Sequence, residues 1–171
     1  VFFNCTKLSI NELQNAINKA NADVKINFTA DIEGEIMIQQ KANVNLTIDG
    51  QGKKFDGTFT IDGMNRYTEL EFVKFQKINF YAKNATNYYN EATSSMNFIY
   101  APKQTATGAG RSAHNVFVED CTFDKAEDDV TVSGLLTEQS YGITIKNSTF
   151  SNLFSIGQFK ANNKFTKFEG V

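Results

Sequence analysis

Short runs of alternating apolar and polar residues follow one another along most of the chain. In VNLTIDG, Val44, Leu46 and Ile48 alternate with polar residues, and TFTIDG continues the pattern with Phe59 and Ile61. A period of two is typical of β-strands that bury one face. Turn-forming residues separate the runs, so the pattern predicts many short strands.

Three Asp-Gly pairs, at 49–50, 56–57 and 62–63, lie among these runs. Asp-Gly is a strong turn signal because glycine tolerates positive φ without a steric penalty. We therefore expect each pair to turn a corner of the chain.

One segment near the start has helical spacing. In SINELQNAINKA, residues 9–20, the apolar residues recur every three or four positions. Ser9 and Glu12 have the spacing of a capping box, and Asn21 is the expected C-terminal cap. The pattern predicts a helix over 9–21 whose apolar stripe covers the open edge of the strands.

Several strand segments recur along the chain at long and similar spacings. Ile26, Ile48 and Leu70 are 22 apart in succession, and Ile38 and Ile61 are 23 apart. Such self-similarity indicates stacked repeats, because one unit of two or three short strands cannot bury its inward side chains alone.

The clearest repeat pairs the segment 115–123 with the segment 142–150, at an offset of 27. A second track is predicted at Val132 and Ile156, which are 24 apart. We expect the repeats to pair as neighbouring strands, about 4.8 Å apart. The aligned positions are Val116 with Ile143, Val118 with Ile145, Cys121 with Ser148, and Phe123 with Phe150.

A capping helix followed by VNLTIDGQGKKFDG, HNVFVEDCTF and YGITIKNSTF resembles the right-handed parallel β-helix of the pectin-lyase-like superfamily. The resemblance covers nearly the whole chain. It implies an all-β fold: a right-handed parallel β-helix, or solenoid, over residues 1–171 as a single domain with an N-terminal capping α-helix. This architecture carries lyases, hydrolases, phage tailspikes and adhesins, so it implies no single activity.

The regular pattern breaks over residues 82–112, which we interpret as a long loop insertion containing one strand, NFIYAP. Tyr88 and Tyr89 lie in it, and Tyr81 and Tyr100 flank them. Exposed tyrosine rings suit stacking on sugars or docking a protein; alternatively, these rings pin the loop against the strands. The predicted glycan-binding residues are Tyr88, Tyr89, Asn87, Asn90 and Arg111.

The best catalytic candidates are Asp128 and Asp129 in AEDDV. Adjacent carboxyl groups raise one another's pKa, which suits acid–base work on a glycosidic bond. The segment resembles the Gly-Asp-Asp element of polygalacturonases, but the other elements of that family, Asn-Thr-Asp, Gly-His-Gly and Arg-x-Lys, are absent from the sequence. The alternative interpretation is an acidic, solvated turn before Val130.

Composition narrows the function classes. A net charge of −2 over 171 residues gives no electrostatic reason to expect nucleic acid as a partner. No apolar run approaches the ~18 residues of a membrane span. His114, the single histidine, is expected in a surface or turn position, and we predict no metal site and no cofactor. Cys5 and Cys121 are too few for a disulfide scaffold, and Cys121 fits a core position.

These observations favour a non-catalytic extracellular, cell-surface or virion-surface module of the tailspike or adhesin kind, whose loops bind a glycan or a cell-surface receptor. The alternative is a polysaccharide lyase or glycoside hydrolase acting through the Asp pair. The final residues, NKFTKFEGV, resemble the start of another repeat. We therefore expect the chain to be part of a longer protein, with a homo-oligomer such as a trimer, or a following domain, on that edge.

Overall fold

The computed structural model describes residues 2–3, 9–63, 71–102, 113–126, 130–138, 140–160 and 164–171. The described chain is mostly β, with one α-helix, α1, at Ile10–Lys19 and a short 3-10 turn at Ala85–Tyr88. The strands are β1 Phe2–Phe3, β2 Val24–Asn27, β3 Ile32–Gln39, β4 Leu46–Asp49, β5 Lys54–Asp62, β6 Val73–Gln76, β7 Asn79–Ala82, β8 Met96–Ala101, β9 Ala113–Glu119, β10 Thr122–Lys125, β11 Val132–Thr137, β12 Ser140–Lys146, β13 Thr149–Phe150, β14 Ser155–Phe159 and β15 Lys164–Glu169.

These strands form two sheets in which every pairing between the described strands is parallel. The first sheet has the order β1-β2-β4-β6-β9-β12-β15. The second has the order β13-β10-β7-β5-β8-β11-β14, with β3 also paired to β5. Neighbouring strands are far apart in sequence, so the Asp-Gly turns do not close local hairpins.

Several predicted repeat partners are direct register partners. Ile26 lies beside Ile48, and Ile38 lies beside Ile61. The repeat at an offset of 27 is also confirmed, because β12 pairs with β9 and β13 with β10. The confirmed pairs in these strands are Val116 with Ile143, Val118 with Ile145 and Phe123 with Phe150.

Two predicted partners are wrong. Ile48 pairs with Phe75, at an offset of 27 rather than 22, and Leu70 lies outside the described residues. For the predicted pair Val132 and Ile156, the strands β11 and β14 do pair, but Ser133 lies beside Ser155, an offset of 22. Ile156 is therefore not the register partner of Val132. Ile156 is accordingly on an exposed surface.

The apolar core lies between the inward faces of the two sheets and contains a column of phenylalanine rings. Phe123 lies between Phe80 and Phe150, with ring centroids 4.5 Å from each and nearly parallel planes. Phe55 and Phe59, both on β5, also stack, with ring centroids 4.2 Å apart. Aromatic pairs of this kind add about 0.5–1.5 kcal/mol each beyond the area they bury.

Helix α1 covers the free edge of β3. The predicted capping box is present: the Glu12 N–H donates to the Ser9 hydroxyl, and the Glu12 carboxylate accepts from the Ser9 N–H. The C-cap is Ala20, whose N–H donates to the Ile17 carbonyl, rather than Asn21. The Gln14 amide bonds both backbone groups of Met37, at 2.8 and 2.9 Å, and so satisfies part of an edge that would otherwise be open.

The Asp-Gly pairs do not all turn corners. Asp49 is the last residue of β4 and Gly50 begins the turn after it, as predicted, whereas the residues that follow Asp62-Gly63 at the end of β5 lie outside the described part of the chain. Asp56-Gly57 lies inside β5, where Gly57 pairs with Gly34 of β3, so the prediction is wrong there. Gly57 has φ +154°, and a Cβ on it would lie 1.8 Å from the Gly34 carbonyl oxygen, so the site requires glycine for close approach.

A second type of corner occurs directly after the C-terminal residue of four strands of the first sheet. Lys77, Asp120, Asn147 and Gly170 each follow the last residue of a strand and have φ of 51°, 53°, 48° and 61°. The amide of each of the first three donates to a carbonyl on the next strand of the stack. The corners therefore lie over one another with a common backbone geometry.

His114 is buried rather than on the surface, which corrects the sequence expectation. It is the second residue of β9, 2% exposed, and its ring lies 6.2 Å from that of Tyr141. The Gln40 side chain bonds the His114 backbone N–H and C=O at 2.7 and 2.6 Å. Burial lowers the pKa of His114, although the charge of Glu71 opposes the shift.

Candidate functional site

The outer face of the second sheet provides a polar floor. In β5, Phe59 and Ile61 point into the core, so Thr58 and Thr60 point outward. Thr58 lies beside Glu35 of β3, and Thr60 lies beside Tyr100 of β8. Three parallel strands therefore supply neighbouring hydroxyl, carboxylate and phenol groups.

The segment between β7 and β8 lies against this face and supplies its wall. It begins with the 3-10 turn, whose Ala85 is buried, and closes on itself where Asn90 and Ser95 exchange backbone hydrogen bonds of 3.1 and 3.4 Å. The Asn90 side chain also accepts from the Ala92 N–H at 2.9 Å. These local bonds hold the two adjacent tyrosines that precede Asn90.

Floor and wall enclose a groove with a volume of about 270 Å³. Tyr88 is half-buried, whereas Tyr89 is 43% exposed and offers its ring to solvent. The residues that line the groove are Glu35, Thr58, Thr60, Tyr88, Tyr89, Asn90, Glu91, Asn97 and Tyr100.

Carboxylates beside the groove hold two of its phenols in place. The Tyr88 hydroxyl donates to Glu33 at 3.4 Å, and the Tyr100 hydroxyl donates to Glu138 at 3.3 Å. Burial, followed by the negative charges of Glu33 and Asp56, raises the pKa of Tyr88 to about 12. Burial and Glu138 raise the pKa of Tyr100 to about 12 as well. Both phenols therefore remain neutral hydrogen-bonding groups at any physiological pH.

The groove also contains a hydroxyl without a partner. Thr58 is 9% exposed, and its Oγ1 makes no hydrogen bond with any described residue. By contrast, the neighbouring Asn97 amide donates to the Thr93 hydroxyl and accepts from the Ser95 hydroxyl, both at 3.3 Å. A buried hydroxyl without a partner is costly, so Thr58 is an unsatisfied group in the floor of the groove.

The structure brings together part of the predicted binding set. Tyr88, Tyr89 and Asn90 line one groove, whereas Asn87 is exposed on the 3-10 turn and does not line it. Arg111 and the catalytic candidates Asp128 and Asp129 lie outside the described residues. Tyr100 flanks the loop in the sequence, but no sequence pattern indicates the floor residues of β3 and β5.

The described residues were also compared with the requirements of a metal site, a reactive cysteine and a membrane span. No group of three or more His, Cys, Asp or Glu side chains among them is placed to hold a metal ion. Cys121 is a free, buried thiol whose pKa is raised to about 12, chiefly by burial, and Cys5 lies outside the described residues. In the part of the chain that the structure describes, no helix has the length and apolar character needed to cross a bilayer.

Comparison with known proteins adds no relative. No family model matches the chain, and the searches of curated proteins and of solved structures found no significant match.

Proposed function

We propose that this chain is a non-catalytic, right-handed parallel β-helix module of the pectin-lyase-like kind, and that it binds a glycan in the groove lined by Tyr88, Tyr89 and Tyr100. A place on an extracellular, cell or virion surface belongs to the same proposal. The observation that carries it is that tyrosines from the loop and from β8 line one groove on a rigid sheet.

The strand arrangement supports the β-helix part of the proposal. Every pairing between the described strands is parallel, and sequence neighbours such as β4 and β5 belong to different sheets. Register partners are separated by 22 residues for Ile26 with Ile48 and by 27 for Val118 with Ile145, and by 43 where the segment between β7 and β8 intervenes, as for Val73 with Val116. A chain that winds through both sheets once per repeat has these properties.

The chemistry of the groove supports a sugar as the ligand. Sugar rings present apolar C–H faces and a rim of hydroxyl groups, so a matching site needs flat aromatic faces beside hydrogen-bonding groups. Tyr89 provides an exposed ring, while Asn90, Thr58 and Thr60 provide polar groups around it. A groove with this lining binds an oligosaccharide better than it binds an apolar small molecule.

The first test is the variant Tyr89→Ala. We expect a glycan array to identify at least one oligosaccharide bound by the wild-type protein, and calorimetry to show about tenfold weaker binding by the variant. Loss of a stacking contact of about 1.4 kcal/mol accounts for a factor of that size.

The matched control is Phe154→Ala, which removes an aromatic ring that is 72% exposed and does not line the groove. Binding by this variant is expected to equal that of the wild type. Glycan binding that survives the double change Tyr88→Ala with Tyr89→Ala would remove the groove from the proposal.

A further inference from the structure

The groove carries negative charge beside its tyrosines. Of the described residues that line it, Glu35 and Glu91 are carboxylates and none is a lysine or arginine. Glu33, two residues before Glu35 on β3, accepts a hydrogen bond from Tyr88 and lies beside Asp56 across the β3–β5 pair. The two lining carboxylates are on exposed residues, so they can approach a ligand.

The described lysines near this face do not neutralise it. Lys83 lies near Asp56, to which its backbone N–H donates at 3.2 Å, and its charge acts on that carboxylate. Lys160 pairs with Glu138 at 3.3 Å, beyond Tyr100. Neither lysine lines the groove, so among the described residues no cationic side chain shares the lining with Glu35 and Glu91.

We infer that the groove is selective for a cationic glycan, a polymer of 2-amino sugars with free amines, and rejects polyuronates. The inference rests on the proposed glycan site and names its substrate class. Glu35 and Glu91 would bond protonated amines, and the exposed ring of Tyr89 would stack on a sugar face.

The direction of selectivity follows from elementary electrostatics. An ammonium group close to two carboxylates gains charge-assisted hydrogen bonds, whereas a uronate in the same place meets like charges, and no lysine or arginine of the described residues lines the groove to offset them. A neutral N-acetylated sugar keeps the stacking on Tyr89 but gains no charge interaction. Affinity should therefore fall in the order amino sugar, N-acetyl sugar, uronate.

The test compares three probes of equal length by calorimetry at pH 5.5: a glucosamine tetramer, its N-acetylated form and tetragalacturonate. At this pH the amines of the glucosamine tetramer are protonated. We expect the glucosamine tetramer to bind at least tenfold more tightly than the N-acetylated tetramer and galacturonate not to bind. Raising the salt from 50 to 300 mM should weaken only the first interaction.

The double variant Glu35→Gln with Glu91→Gln distinguishes the effect of the carboxylate charges on binding from the effect of the shape of the groove. It should bring the affinities for the glucosamine tetramer and its N-acetylated form within about twofold of each other, because the ammonium groups then lose their charged partners. Glu169→Gln, a carboxylate change in β15 of the first sheet, is the matched control and should preserve the preference. Both changed groove residues are exposed, so the variants should fold, which circular dichroism checks.

The outcomes distinguish this inference from the proposed function. Equal binding of the amino and N-acetyl tetramers, or tighter binding of galacturonate, overturns the charge selectivity and leaves the glycan site standing. Tighter binding of tetralysine than of the glucosamine tetramer also overturns it, in favour of a basic peptide. Failure of every array glycan and every tetramer to bind overturns both.

Discussion

At the scale of single residues, Asp49 shows how the stacked strands keep a buried charge. Its side chain is 1% exposed, and its carboxylate is 2.7 Å from the Lys25 ammonium. Gln76 on the next strand donates to it at 2.6 Å, and the Gln51 N–H donates at 3.0 Å. Burial alone would raise the pKa of Asp49, but these bonds and the charge of Lys25 outweigh it and lower the pKa.

We predict that Asp49→Asn destabilises the protein by roughly 1–3 kcal/mol at pH 7, because the ion pair and its charge-assisted bonds are lost. The lowered pKa sets the pH dependence. The stabilisation is fully present above the ordinary pKa of 3.8 and is lost as the pH falls through the lowered value. Urea unfolding should therefore show the difference between the two proteins shrinking in acid.

The control for this prediction is Glu91→Gln, at an exposed position, which is expected to change stability by less than about 0.5 kcal/mol. A stability difference between wild type and Asp49→Asn that stays constant from pH 7 to pH 2 would contradict the role given to the Asp49 charge.

At the scale of elements, β3 and β5 depend on a pair of facing glycines. Because a Cβ at Gly57 would overlap the Gly34 carbonyl oxygen, Gly57→Ala should separate the strands at this point. We predict a loss of about 3 kcal/mol or more in the free energy of unfolding, measured by urea titration, as overpacking and backbone strain combine.

Gly52→Ala is the matched comparison, since Gly52 also has positive φ, +74°, but an added Cβ would have no atom within 4 Å. This change should lower the free energy of unfolding by about 1 kcal/mol, the cost of placing an alanine at positive φ. Equal losses for both variants would mean that conformation, and not the contact with Gly34, determines the requirement at Gly57.

These elements also show what local patterns can predict. The helix and its capping box depend on local signals, and the repeat at an offset of 27 depends on the similarity of two segments; the structure confirms all three. In ELEFVKF, apolar residues occur on both faces of the strand. The residues that point into the core, Val73 and Phe75, are therefore determined by pairing with β4 and not by the local pattern. The corner predicted at Asp56-Gly57 is wrong for the same reason, because the role of Gly57 depends on Gly34 in the neighbouring strand.

The candidate site could likewise be predicted only in part from the sequence. Two adjacent tyrosines in a polar loop are visible in the sequence, and they do line the groove. The floor residues Glu35 and Thr58 come from different strands, and only the β3–β5 register places them side by side. A groove formed between distant segments requires that register, which the alternating pattern alone does not specify.

At the scale of the whole molecule, the phenylalanine column connects successive layers of the core. Phe123→Ala removes the middle ring between Phe80 and Phe150 and should cost about 3–5 kcal/mol. We expect one cooperative urea transition with a lower midpoint and an unchanged m-value, because the column runs through a single core.

The exposed Phe154 provides the comparison, and Phe154→Ala should shift the midpoint little. Two separate transitions in Phe123→Ala, detected by circular dichroism and tyrosine fluorescence, would show that the layers on either side of Phe123 unfold independently.

The matching corners at Lys77, Asp120, Asn147 and Gly170 make the molecule extensible in fixed increments. Duplicating the segment from Asp120 to Lys146 would connect one left-handed corner to another of the same geometry. Each such copy would lengthen the stack by about 4.8 Å and give the new strands register partners at once. Gain or loss of a whole unit between two such corners therefore preserves the corner geometry and the register of the neighbouring strands.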